Sequence, residues 1–149
     1  MSSTELLKKS IKINDISNVK LAIENGANIH YENDDALYYA VINDNIEILK
    51  YLIEHGLSFN ENDNSYLIKT ASIFGSINVI KYMVEHNIDI HYDNDLAVLL
   101  AFKYKYYDVF LYLVNHGANI DNCKVYANNK ISEMKQYLRN HKINKINEK

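Results

Sequence analysis

Apolar positions along the chain recur in short helical stripes broken by polar turns. In NIEILKYLIEHG, Ile46, Leu49 and Ile53 fall at i, i+3 and i+7, one stripe of a 3.6-residue period, while Glu47, Lys50 and Glu54 point elsewhere. This spacing predicts an amphipathic helix. The same stretch returns: VKLAIENGANIHY, LKYLIEHGLSFNE, IKYMVEHNIDIHY and FLYLVNHGANIDN begin at 19, 49, 80 and 110, spacings of 30, 31 and 30. A weaker copy, YLRNHK, starts at Tyr137, 25 residues after Tyr112. Upstream of three copies lie ALYYAVIND at 36, LIKTASIFG at 67 and AVLLAFKYK at 97, with Ala40, Ala71 and Ala101 in register. Each unit therefore reads as two short helices.

Gly26, Gly56 and Gly117 close the second helix, where a left-handed residue is wanted, and Asn87 fills that slot in the third unit. A short extended piece follows, with apolar residues at alternate positions (Ala27 and Ile29; Leu57 and Phe59; Ile88 and Ile90), then a polar turn such as YENDD. No unit can bury its stripe alone, so the units must stack, with polar ends as caps. In the first unit Ser10 stands where later units have alanine, Lys8, Lys9 and Lys12 give its first helix a wet outer face, and Ser3 or Thr4 can N-cap it. At the other end the first helix, around KVYANNK, is cut short, the second runs from about Ile131 to His141, and KINKINEK is a frayed tail.

On these residues the chain resembles the ankyrin-repeat family, whose unit is a turn, two helices and a return loop of about 33 residues. GANIHY and GANIDN are similar to that family's Gly-Ala-Asp-Val-Asn return, and NIEILKYLIEHG to its second helix. In place of Thr-Pro-Leu-His-x-Ala stand Asp35, Ala36, Leu37, Tyr38, Tyr39 and Ala40, so only the Leu and Ala are kept, and proline is absent throughout. The connection from Gly26 to Ala36 is about three residues shorter than the family's, which implies stubby fingers. Tetratricopeptide repeats, the nearest rival period, lack the extended Gly-Ala-x-Ile return. Within the family, the pattern is similar to repeats abundant in giant DNA viruses of amoebae. The resemblance implies an all-α solenoid of stacked helix-turn-helix units with short finger turns. It forms one domain, 1–149, with units at about 1–33, 34–63, 64–94 and 95–124 and a truncated cap at 125–149.

Composition narrows the function. Apolar residues make up 48% and charged residues 23% of the 149, ordinary for a chain with a real core. The net charge of −3, with scattered Lys and Arg, offers no basic footprint for nucleic acid. The single Cys123 cannot form an internal disulfide, and no Asn-x-Ser/Thr sequon occurs, which points to a reducing intracellular compartment, the cytoplasm, or a host's cytoplasm if the chain is viral. The N-terminus has no apolar signal region and no apolar run reaches membrane-spanning length, so no membrane role is expected. The absence of proline and the 13 tyrosines fit an A/T-rich codon bias and carry no chemical meaning.

Six histidines raise a metal hypothesis, but His55, His86, His116 and His141 recur once per unit in the last turn of the second helix. Stacked units lie about 10 Å apart, too far for histidines of neighbouring units to share a zinc that needs ligands at about 2.0–2.3 Å. His30 and His91 lie in fingers two units apart. Cys123 reads as a loop cysteine, with no nucleophile elbow or phosphate loop nearby. Asp34, Asp35, Glu61, Asp63, Asp93 and Asp95 sit in polar turns, as capping and turn residues do. No catalytic residue, metal or cofactor is expected.

Tyr51, Tyr82 and Tyr112 repeat in the second helix and read as scaffold packed between units. Tyr31, Tyr92, Phe74 and Tyr104 fall in fingers or near the end of the first helix, positions that in the resembled family line the concave groove. Aromatics there are unneeded for the stack and suit an interface. The expected function is a monomeric, non-catalytic protein-binding module whose contact surface is Tyr31, Glu32, Ile42, Asn43, Asn62, Ile73, Phe74, Tyr92, Asp93, Lys103 and Tyr104. No small-molecule substrate is expected. The alternative is a viral adaptor presenting a host target to ubiquitin ligase machinery, which predicts an F-box-like extra helix set. An enzyme predicts a convergent polar pocket where a stack of thin layers offers a groove.

Overall fold

The computed structural model describes residues 1–32, 35–58, 61–125 and 128–141, with the side chains of 61–65, 125 and 128 excepted. Among the described residues there are nine α-helices and no strand: α1 (Ser3–Lys12), α2 (Ile16–Glu24), α3 (Asp35–Ile42), α4 (Ile46–Glu54), α5 (Glu61–Phe74), α6 (Ile77–Glu85), α7 (Tyr92–Lys103), α8 (Tyr107–Asn115) and α9 (Asn128–Asn140), with a 3-10 helix at Ile120–Val125 before α9. Helices of a pair pack on each other, first helices α1, α3, α5 and α7 form one row, and second helices α2, α4, α6 and α8 form another. The return pieces after the second helices form no strand in the described residues, although Leu57 and Ile90 are buried as alternation predicts. Phe59, Asp34 and the tail 142–149 lie outside the described residues, as do the side chains of Glu61 and Asp63.

The in-register alanines are fully buried, as is Ala36, so the first helices approach one another closely. Ser10, read as part of a wet end, is buried instead, and its hydroxyl is satisfied by donating to the Leu6 carbonyl at 2.7 Å. In α4 the buried stripe is Ile48, Leu49 and Leu52, rotated from the expected Ile46–Leu49–Ile53; Ile46 and Ile53 are only half-buried. The core in this thin layer has two sides, the partner helix and the neighbouring unit, and the stripe turns to serve both.

Local hydrogen bonds set the helix ends. The N-cap of α1 is Ser2 rather than Ser3 or Thr4: its Oγ accepts from the Glu5 amide at 3.2 Å while the Glu5 carboxylate accepts from the Ser2 amide at 2.7 Å, a reciprocal capping box. Ser3 and Thr4 are then free to tie down the next return, Ser3 donating to the Asn25 carbonyl at 2.9 Å and Thr4 accepting from the Asn28 amide at 3.0 Å. In the returns, Asn28, Asp89 and Asn119 each accept from the amide two residues on (3.0, 2.8 and 2.9 Å), one Asx turn repeated in three units.

Two left-handed residues per unit reverse the chain. After the second helix these are Gly26, Gly56, Asn87 and Gly117, with φ of 76°, 112°, 58° and 102°. Gly56→Val is expected to destabilise by more than about 1 kcal/mol, because a β-branched residue resists positive φ, whereas Asn87→Gly is neutral or slightly stabilising. Thermal melts of the two variants test this, and equal melting points would remove the helix-end assignment. After the first helix the corresponding residues are Asn14, Asp44, Gly75 and Lys105, with φ of 62°, 50°, 73° and 67°. The amide that follows each of them donates back to Ser10, Ala40, Ala71 or Ala101 at 2.8–3.1 Å.

At the C-terminal end, the expected helix over Ile131–His141 is α9, beginning three residues earlier at Asn128. It packs on α7 and the 3-10 helix. Tyr137 of α9 stacks on Tyr107 (ring centroids 4.5 Å) and meets Phe102 and Phe110 edge-on at 5.9 and 5.8 Å, closing the core with an aromatic cluster. Cys123, read as a loop cysteine, is fully buried in the 3-10 helix, and its Sγ donates to the Asp95 carbonyl at 3.3 Å. Asp95, read as a turn carboxylate, is also fully buried: its Oδ1 takes the His91 Nδ1 at 2.7 Å and its Oδ2 accepts from the Asn122 amide group at 2.5 Å. Asp93, Asn94 and Asp95 adopt φ of 54°, 56° and 58° in succession, so the start of α7 bends inward and carries Asp95 into the core. The carboxylate's hydrogen bonds span residues 91–122 and join the turn at the start of α7 to the 3-10 helix that precedes α9.

Candidate protein-binding surface

The four equivalent positions three residues after the in-register Ser10, Ala40, Ala71 and Ala101 are Ile13, Asn43, Phe74 and Tyr104. Each stands where its first helix ends. Ile13 is 64% exposed, Phe74 45% and Tyr104 47%, an apolar row along the edge of the stack. Asn43 interrupts it, its side-chain amide donating to the Ile11 carbonyl at 3.0 Å and tying the second unit to the first. Ile42 and Ile73, one residue earlier, are half-buried, and Lys103 at that position is exposed with its ammonium 5.5 Å from the centre of the Tyr104 ring. Tyr106 lies across Gly75, beside Phe74: a Cβ at Gly75 would stand 2.1 Å from the Tyr106 ring. Ile13 was not singled out from the sequence, although the Ser10–Ala40 register locates it.

A second group of aromatic contacts crosses the units. The Lys12 ammonium sits 4.9 Å from the centre of the Tyr39 ring; Tyr39 meets Tyr38 edge-on at 5.4 Å, and Tyr38 stacks on Tyr66 at 6.0 Å, a line of contacts across three units. Tyr92 is exposed, with Lys69 5.5 Å from its ring centre and paired with Asp93 at 3.6 Å. Glu32 is exposed and ion-paired with Lys8, which holds its carboxyl below the usual range. Tyr31 corrects the sequence reading. Taken as an aromatic the stack does not need, it is only 5% exposed and belongs to the core, its ring beneath the Lys8 ammonium at 5.0 Å. Burial drives its hydroxyl's pKa well above the ordinary tyrosine value. The side chain of Asn62 lies outside the described residues.

The repeated Tyr–His pairs belong to the scaffold. His55, His86, His116 and His141 bond through Nδ1 to the carbonyls of Tyr51, Tyr82, Tyr112 and Tyr137 at 2.8–2.9 Å. A carbonyl only accepts, so Nδ1 carries the proton and satisfies a carbonyl near the helix end. Each ring also lies on its tyrosine, centroids 3.9–4.1 Å apart. Lys20 and Lys50 sit over Tyr51 and Tyr82 of the following units at 5.6 Å, so these tyrosines do pack between units. Among the described residues no three His, Cys, Asp or Glu side chains converge as a metal site would require. Burial pushes the Cys123 thiol up to about 11, so it stays protonated at neutral pH. No described helix is long and apolar enough to cross a membrane.

A family model of ankyrin repeats (three copies) matches residues 3–63. No curated protein and no solved structure matches the chain. Ankyrin repeats are generally protein–protein interaction modules. The pairing of helices, the two left-handed turns and the Asx return run on beyond the matched segment, through α5–α8, with the same 30- or 31-residue spacing. The chain is thus an all-α solenoid of repeated helix pairs, and its residues 3–63 are similar to the ankyrin-repeat family.

Proposed function

We propose that the chain is a non-catalytic, intracellular module that binds another protein along the face carried by its first helices. The observation that supports this reading best is the exposed apolar row. Ile13, Phe74 and Tyr104 stand in the same place of their units, stay in water and contribute little to the core. A solenoid repeats its buried positions because stacking demands it; large apolar side chains at an exposed repeated position have no such demand behind them. Half-buried Ile42 and Ile73, with Lys103, Tyr92 and Asp93, extend the surface on either side.

Phe74→Ala together with Tyr104→Ala is expected to leave circular dichroism and melting temperature near wild type while capture of the partner recovered from lysate falls at least tenfold, about 1.4 kcal/mol. Unfolding of the double variant would mean that the residues belong to the core. Unchanged capture by a folded double variant would move the contact elsewhere, to the second-helix face bearing Lys50, Glu54 and Lys81.

A further inference from the structure

Resting on that reading, we infer that the partner segment is an acidic peptide stretch whose apolar side chains seat on the Ile13–Phe74–Tyr104 row. The row lies between lysines. Lys12 precedes Ile13, and Lys103 and Lys105 flank Tyr104. Among the described residues the lysine ion pairs join Lys8 to Glu32, Lys20 to Glu47, Lys69 to Asp93, Lys130 to Glu133, and Lys124 and Lys135 to Asp121; none involves Lys12, Lys103 or Lys105. The carboxylates of the same turns are already engaged with backbone. Asp15 caps α2 by accepting from the Asn18 amide at 3.1 Å. Asp44 reaches into the next unit and accepts from the Val79 amide at 2.9 Å, capping α6 where the buried Ser76 hydroxyl does not. Asp108 accepts from the Val109 amide at 2.8 Å. Each of these charges is offset in part by the positive end of a helix; Lys12 also acts on the Glu32 carboxylate, which leaves Lys103 and Lys105 as the ammonium groups of this edge most open to a partner's carboxylates.

Two further features point the same way. Lys12 and Lys103 lie over the Tyr39 and Tyr104 rings, so their charge is already held against the aromatic surface and loses little freedom on binding. Lys105 occupies a left-handed position at φ 67°, where glycine or asparagine serves the turn better; the fold gains nothing from a lysine there. The net charge of −3 does not oppose a local acidic contact, because charges more than about 8–10 Å away are largely screened at physiological salt. Units are about 10 Å apart, and an extended segment advances about 3.3 Å per residue. Apolar residues three apart in the partner would therefore meet Phe74 and Tyr104.

The test is selection of a displayed random 16-residue peptide library on the full chain, followed by fluorescence polarisation of the enriched peptides, synthesised and labelled. Expected are net-acidic peptides with aromatic or aliphatic residues three apart, whose binding weakens at least tenfold in K12E/K103E/K105E and declines as salt is raised. Partial recovery by a peptide with its Asp and Glu changed to Lys would show that the charges meet directly. K103Q/K105N, which keeps an αL-tolerant residue at 105, is expected to lose several-fold and guards against misfolding of the triple variant. Enrichment of neutral or basic peptides, no enrichment at all, or unchanged binding by the charge-reversed chain overturns the inference. If partner capture still fails in Phe74→Ala/Tyr104→Ala while charge reversal has no effect, protein binding at this edge stands and only its acidic character falls.

Discussion

Phe110→Ala is expected to lower the unfolding free energy by about 3–5 kcal/mol, the usual range for emptying a fully buried aromatic site. Phe110 has no exposed surface, and its ring meets Phe102 at 5.0 Å and Tyr137 at 5.8 Å, so it joins α7, α8 and α9 at once. Domains hold only about 5–15 kcal/mol in total, so the loss should lower the melting temperature by roughly 10 °C. Because the units couple chiefly to their neighbours, the C-terminal end should loosen first. Amide exchange is then expected to quicken in α9 and α8 well before α2. Thermal melts and site-resolved exchange check both parts. A loss below about 1 kcal/mol, or uniform loosening of all helices, would contradict the placement of Phe110 at the junction.

Gly75→Val is expected to cost roughly 2–4 kcal/mol from two separable causes. The residue is left-handed at φ 73°, which disfavours a side chain by about 1–2 kcal/mol and a β-branched one most. Its Cβ would also stand 2.1 Å from the Tyr106 ring, which must swing away, an overpacking cost of about 1–3 kcal/mol. Tyr106→Ala removes the second cause and leaves the first. Melting of the four species of this cycle should show that Gly75→Val is milder in the alanine background, and strict additivity would mean that the ring yields without cost. Gly75 follows Phe74 in the chain, so binding at the proposed surface should weaken along with stability.

Much of the scaffold is written in short-range pattern. The 30- and 31-residue spacing predicts helix pairs, and α2, α4, α6 and α8 each begin three residues before the repeated stretches and end two residues before the slot of Gly26, Gly56, Asn87 and Gly117. The left-handed slot of Asn87 follows from the three glycines that share it, because positive φ is a property of a single residue. The other left-handed slot, at Asn14, Asp44, Gly75 and Lys105, carries a weaker signal because only one of its four residues is glycine. Asn14 and Asp44 tolerate positive φ, and at Lys105, whose side chain does not favour it, the hydrogen bond from the Tyr106 amide back to Ala101 holds the turn. The exposed row proposed as the binding surface was partly legible. Phe74, Tyr92 and Tyr104 are exposed as expected, whereas Tyr31, an aromatic of similar local setting, is buried. A tyrosine in a polar turn has the same neighbours in sequence whether its ring faces water or the adjacent unit.

The sequence by itself determined the unit, its two helices, their ends and the necessity of stacking, since each of these depends on residues within a few turns of one another. The tertiary structure alone decided which way each stripe faces and which polar groups go inside. Ile48 and Leu52 displace Ile46 and Ile53 as the centre of the α4 core because two neighbours, not one, must be met. Asp95 and Cys123 are 28 residues apart and become buried partners only when the start of α7 folds against the 3-10 helix. Asp44 caps a helix 35 residues away. Burial and long-range hydrogen bonding depend on what the next unit presents, and local pattern carries no record of that.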